Sequence, residues 1–201
     1  MKKIFGISIV LLFTLLLFSC KQEEVVSLDN PNVASVNMDT TLKSYYPKPT
    51  PSSTFESLFG YNFPNVNCQF SINMSWYDPE SSHGIYAHFN NSVGDFLIDD
   101  AGFIKTFNSG VKIDSTLAGN WSGNVDGRIS YDYILNPSAN KGNLAGQGDK
   151  YIIFRAFSEM IPTLKYYGYV RIRVSENGRD VKVISLAYQQ NPNTSFITGE
   201  Y

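Results

Sequence analysis

Two histidines, His83 and His88, and four aspartates beside glycine-containing turns, Asp99, Asp100, Asp126 and Asp149, are the side chains of this 201-residue sequence best suited to acid–base or metal chemistry. A glycosidase needs two carboxyls flanking one bond, about 5 to 9.5 Å apart, and a pair of these aspartates would supply them if the fold brought two together. The ordinary use of Asp at turns competes with that reading, because its side chain bonds nearby backbone amides. The histidines stand five residues apart, which on a strand puts them on opposite faces, and no third ligand follows at metal-site spacing. Asn124-x-Asp126-Gly127 is a fragment of an oxygen-rich calcium loop without the downstream acid that closes one. There is no phosphate-cradling glycine loop, nucleophile elbow or zinc signature. The residues thus predict no catalytic constellation, no metal and no cofactor.

Aromatic and cationic side chains form the other candidate set. Trp76, Trp121 and thirteen tyrosines could offer flat faces to sugar rings. Trp76 alternates with core residues, whereas Trp121 lies among small polar residues in "AGNWSGNVDG" and is the better exposed of the two. Arg155, Arg171 and Arg173 would line up on neighbouring strands. Cys68 starts a strand-like run with no histidine nearby in sequence and reads as a small buried hydrophobe.

The elements that must position these residues are strands. Aromatics make up 14% of the chain and charged residues only 17%, a balance that suits β structure. From Asn67 the period is two: Phe70, Ile72, Met74 and Trp76 alternate with Gln69, Ser71, Asn73 and Ser75. Strand-like runs follow at 84–89, 95–98, 103–107, 111–113, 128–135, 151–157, 166–175 and 181–189. Asp99-Asp100-Ala101-Gly102 reads as a hairpin turn. Asn177-Gly178 predicts a type I′ turn with positive φ at both residues. Roughly 135 patterned residues fill one core and not two. The expected fold is all-β, a single antiparallel β-sandwich or jelly-roll-like domain over 55–201. Residues 20–54 read as a flexible tether, stiffened at Pro47-Lys48-Pro49-Thr50-Pro51. The aromatic stretch Phe55 to Phe63 is expected to dock onto the domain.

Residues 1–19 have the layout of an export signal: Lys2 and Lys3, a mostly apolar run from Ile4 to Phe18, then a small residue. The run is shorter than the about 20 apolar residues a spanning helix needs. Its end, Leu17-Phe18-Ser19-Cys20, resembles the bacterial lipobox. That resemblance implies lipidation of Cys20, which becomes the mature N-terminus and holds the protein to a membrane through its lipid anchor. Several acyl chains anchor stably where one does so marginally. Lys21 in place of Asp implies the outer membrane, and Lys21-Gln22-Glu23-Glu24 resembles the surface-export signal of Bacteroidota lipoproteins. The expected location is the outer membrane, facing periplasm or cell surface. Loss of Lys2 and Lys3 leaves fourteen basic against eighteen acidic residues, net about −4. Such a surface excludes nucleic acid, which calls for clustered Lys and Arg.

Ile113, Tyr151 to Arg155, Tyr167-Gly168-Tyr169-Val170-Arg171-Ile172, Ala187-Tyr188 and Ile197 to Gly199 succeed one another in an order that resembles a β-rich module of secreted and surface proteins in the Bacteroidota and other bacteria. The resemblance covers about 109–199, implies a β-sandwich and assigns no chemistry. Tyr169 stands where the module has Trp, and Ile153 where it has Gly. Trp121, Tyr169 and Arg171 form the candidate ligand-binding set. Asp39-Thr40-Thr41 and Asp114-Ser115-Thr116 resemble the three-residue O-glycosylation sequon of Bacteroidota envelope proteins, the former being the more accessible on a tether. The expected function is a non-catalytic binding or structural module of the envelope, with a glycan or envelope protein as partner. The alternative is a carbohydrate-active enzyme or accessory glycan-binding protein that uses acidic and aromatic residues on the sandwich.

Overall fold

The computed structural model describes residues 32–43, 55–63, 68–77, 82–89, 94–100, 103–122, 127–133, 144–157, 160–178 and 180–201. The signal segment, Cys20, Asn124 and Asp126 lie outside these residues. Among the described residues every regular element is a strand. In chain order these are β1 (Val33–Lys43), β2 (Phe55–Phe63), β3 (Cys68–Tyr77), β4 (Ser82–Phe89) and β5 (Gly94–Ile98). The short β6 (Thr106–Phe107), β7 (Lys112–Ile113) and β8 (Asn120–Trp121) precede β9 (Gly127–Tyr133). The chain ends with β10 (Asp149–Phe157), β11 (Lys165–Val174), β12 (Asp180–Gln189) and β13 (Phe196–Ile197).

A large antiparallel sheet runs β1-β12-β11-β10-β5-β8, with β6 also paired to β10. A four-stranded sheet, β2-β3-β4-β9, lies against one of its faces, and β13-β7 forms a small ribbon. Their interface is the main core: Phe63, Phe70, Ile72 and Ile129 from the smaller sheet meet Phe154, Ile172, Val183 and Leu186 from the larger. Aromatic edges interlock there, with Phe63 5.0 Å from Tyr188 and 5.3 Å from Phe154 between ring centroids. The protein is therefore an all-β antiparallel sandwich, as its alternation predicts.

The expected facing of β11 also holds. Val170, Ile172 and Val174 join the main core, and Arg171 and Arg173 lie on the other side, bound to Asp149. Gly168 shares the core side and has no room for a side chain. A Cβ there would come within 2.6 Å of the Ala187 carbonyl oxygen and 2.7 Å of Tyr188 Cβ. In β12 the alternation is broken by one extra residue between Val183 and Ser185, where the register against β11 shifts. This bulge lets Val181, Val183, Leu186 and Tyr188 all reach the same core.

Three sequence expectations are corrected or refined. The segment 20–54 is not tether throughout, because β1 pairs with β12 from Val33↔Gln189 to Lys43↔Asp180. Its pattern is faint because it is an edge strand with a register shift between Asn37 and Thr40, and Asp39 there takes φ 43°. Phe55 to Phe63 does join the domain, with Phe63 in the main core, but as a full strand, β2, paired along β3. Asn177-Gly178 does not make a two-residue turn, since of the pair only Gly178 has positive φ, at 73°. Ser175 N–H donates to the Asp180 carbonyl at 2.9 Å, and the Ser175 hydroxyl accepts from Asp180 N–H at 2.9 Å, giving a four-residue loop.

Candidate functional site

The second face of the large sheet carries most of the candidate residues, and it is covered. Val33, Leu97, Ile113, Tyr151, Ile153, Tyr167, Tyr169, Ala187 and Phe196 form a second core on it, with Trp121, Leu117 and Tyr201 half-buried around them. The chain end builds this cover. Thr198, fully buried, donates its hydroxyl to the Asn108 carbonyl and accepts from Val111 N–H, each at 2.9 Å. Phe196 pairs with Ile113 in register.

Tyr169 lies inside that cover. Its ring stands edge-on to Tyr151 at 5.0 Å and stacks on Phe196 at 5.4 Å, and Phe196 stacks on Tyr201 at 5.3 Å. The Tyr169 hydroxyl donates to the Tyr201 carbonyl at 2.6 Å. Burial, reinforced by Tyr151 alongside, pushes its phenol up to about 12. Ile153 is opposite Tyr169 in register and equally buried. Both residues therefore belong to the second core and present no ring or side chain at the surface. Local alternation places both on this face, but only the long-range return of 196–201 decides that the face is dry.

Trp121, on β8 opposite Leu97, is half-buried. One ring face is already occupied: the Arg155 guanidinium carbon lies 4.1 Å from the ring centroid and 5.5 Å from that of Phe157. Arg155 in turn closes on Asp95, its register partner on β5, with Nε and a terminal nitrogen each 2.7 Å from Oδ2. Asp95 is only 3% exposed, so a desolvated carboxylate is matched by a cation held between two rings. Asp95 and Phe157 were not singled out in the sequence. The signal for Asp95 was its charge inside the apolar run "GDFLI", since a lone acid in a buried strand requires a partner.

Arg171 is half-exposed and binds Asp149 together with Arg173, at 2.5 and 2.6 Å. Partial burial raises the Asp149 carboxyl, but the hydrogen bonds and charges of Arg171 and Arg173 outweigh it and hold the group below its ordinary value. It is ionised at neutral pH and has no proton to donate. Asp99 accepts Phe103 N–H at 2.9 Å, a turn cap in the expected hairpin, and Asp100 is exposed and accepts from the Asn120 amide at 3.4 Å. Asp114 is drawn down by its bonds to Lys112 and Thr116, and the Thr116 hydroxyl and amide both donate to it. Asp39 pairs with Lys182.

His83 and His88 lie on β4 opposite Trp76 and Ser71 of β3, and Cys68 opens β3 opposite Phe63. Among the described residues no three His, Cys, Asp or Glu side chains gather at metal-binding distance, and no helix is long and apolar enough to cross a membrane. The fold therefore does not bring Trp121, Tyr169 and Arg171 together as one ligand surface. It buries the second, stacks the first on an arginine, and ties the third to an aspartate. Compared with known protein families, curated proteins and solved structures, the chain matches none of them significantly.

Proposed function

We propose that this chain is a lipid-anchored envelope protein of the outer membrane, held by acylated Cys20, whose sandwich is a binding or structural module and not a catalyst. The observation that carries the reading is the succession Lys2-Lys3, apolar Ile4 to Phe18 and Ser19-Cys20, followed within thirteen residues by the first strand at Val33. A folded domain that starts so soon after a lipidation-type cysteine fits export and tethering close to a lipid surface. The non-catalytic part is supported by where the described acids go: Asp95 and Asp149 to arginines, Asp99 to a turn. A glycan or another envelope protein is the partner class that fits a weakly acidic module displayed from a membrane.

Metabolic labelling with an alkyne fatty acid in the bacterial host tests the anchor. Label is expected on the full chain, absent from Cys20→Ala, and located by mass spectrometry on an N-terminal peptide that begins at Cys20. An unmodified, uncleaved N-terminus overturns the reading. A glycan array probed with the full chain then separates glycan from protein as partner.

A further inference from the structure

Met160 and Ile161 are the large apolar side chains that stand out from the described surface, 92% and 50% exposed, next to Pro162 at the tip of the β10–β11 connection. The tip is held in shape by Leu164 N–H donating to the Ile161 carbonyl at 2.9 Å. Ser158 and Glu159 lie outside the described residues. A single exposed hydrophobe on a surface calls for no explanation. An adjacent pair with proline at a turn tip is different when the position in the fold is considered.

Pairing registers fix that position. Phe157 is opposite Lys165, Gly168 opposite Tyr188, and Val33 opposite Gln189. The apolar tip, the end of β12 and the start of β1 therefore share one end of the large sheet. Gln190 N–H donates to the Asn32 carbonyl and Asn193 N–H to the Lys165 carbonyl, each at 2.7 Å, tying these segments together. The chain from Cys20 thus arrives at the end of the domain that carries Met160. Thirteen residue steps separate Cys20 from Val33, a reach of at most about 43–47 Å. The opposite end, at the loop after Val174, lies about 30 Å further along β11. Turning that end to the membrane would use most of the reach in running back along the domain.

We propose that the Met160-Ile161-Pro162 tip is a second lipid contact, seated in the headgroup region of the same membrane that holds Cys20. The inference rests on the anchor reading above. The two side chains enter the boundary between headgroups and acyl chains, where an apolar face sits about 5–10 Å deep, and the domain stands with its β10–β11 end down. Two attachments, one covalent and one through the fold, fix an orientation that an acylated N-terminus alone leaves free.

The test uses the full lipidated chain in phosphatidylethanolamine–phosphatidylglycerol vesicles, with and without acyl chains brominated near the headgroup. Met160→Trp places an indole at the tip, and Glu176→Trp places one in the exposed loop at the far end. Wild-type emission supplies the baseline from Trp76 and Trp121. Vesicle flotation of the same samples reports the anchor independently. The expected result is flotation of all three proteins. The indole added at 160 shifts to the blue and loses most of its emission to bromine, while that added at 176 keeps its own. Flotation with neither indole quenched overturns the tip contact and leaves the anchor standing, which would make a protein partner the occupant of the tip. Equal quenching at both overturns the orientation. Failure to float overturns the anchor and the tip together. Ile161→Trp repeats the measurement one residue on, should Met160→Trp lose its far-ultraviolet β spectrum.

Discussion

Replacing Gly168 with alanine adds one methyl group at a point of the central strand that has no space for it. The new Cβ would stand 2.6 Å from the Ala187 carbonyl oxygen and 2.7 Å from Tyr188 Cβ, and would overlap the edge of the Phe154 ring. Real Cβ contacts essentially never fall below 3.0 Å, so something must move. The Phe154 ring can turn at some cost. The Ala187 carbonyl cannot easily retreat, because β12 is paired to β11 on one side and β1 on the other. Overpacking costs about 1–3 kcal/mol, and a clash with backbone belongs in the upper half of that range, about 2–3 kcal/mol. For a chain of this size each kcal/mol lowers Tm by roughly 2–4 °C, so the variant should melt about 4–12 °C below wild type. Circular dichroism melts and urea titrations read the effect, with m unchanged if the native compactness is kept. Adding Phe154→Leu should recover only part of the loss, a coupling of about 0.5–3 kcal/mol. An undiminished Tm in Gly168→Ala, or complete rescue by Phe154→Leu, would refute the close approach of β11 to β12.

Arg155→Met leaves the buried Asp95 carboxylate without its cation and should cost about 3 kcal/mol in urea unfolding; Trp121 emission should change as well, because its stacked guanidinium is gone. Asp149→Asn tests the sign of a pH effect. A carboxyl whose folded pKa is depressed contributes stability that is complete above its unfolded value, about 3.9, and lost as pH falls through the lower folded value. Wild type should therefore melt above Asp149→Asn at neutral pH, with the gap closing on acidification. Tyr169→Phe removes the bond to the Tyr201 carbonyl and should cost about 1 kcal/mol at neutral pH. With its phenol raised to about 12, Tyr169 gives stability that is complete below the ordinary tyrosine value of about 10 and lost as pH climbs through the folded value. The alkaline melting of Tyr169→Phe should accordingly be less steep than that of wild type. A chain begun at residue 44 lacks β1 and exposes the edge of β12; loss of buried Val33 and Leu42 alone forfeits about 3–6 kcal/mol of a typical 5–15, so this truncation should aggregate or fail to melt cooperatively.

The sandwich was legible where alternation is strong and local. "QFSINMSW" and "YVRIRV" each write a strand in period two, and the structure places β3 and β11 there. It was illegible where pairing energy comes from elsewhere. The strand β1 carries exposed Asn37, Asp39, Thr40 and Thr41 on an edge, and a register shift interrupts what alternation it has. The two-residue strands β8 and β13 have too few residues for any period. They exist because Leu97 and Ile113 present buried partners to Trp121 and Phe196. Asn177-Gly178 was read from turn chemistry alone, whereas the Ser175 hydroxyl bond to Asp180 N–H selected a longer loop.

How available the candidate side chains are depends on their partners. Aromatic and arginine side chains on the outer face of a strand look available when only that strand is considered. Here each finds a partner from a different strand or from the chain end: Arg155 takes Asp95 and Trp121, Arg171 and Arg173 take Asp149, Tyr169 takes Phe196 and Tyr201. A sugar platform needs a ring face open to solvent; Tyr169 spends one on Phe196, and one face of Trp121 is taken by Arg155. The two ends of the sheet are not alike. One carries Met160 and receives the chain from Cys20. The other joins the loop after Val174 to the turn at 144–148, where Gly146 N–H donates to the Val174 carbonyl at 3.2 Å. On the proposed lipid contact of the first end, the second would point away from the membrane, its Gln147 and Glu176 exposed and polar. In that orientation a glycan or a protein arriving from outside would meet that end first.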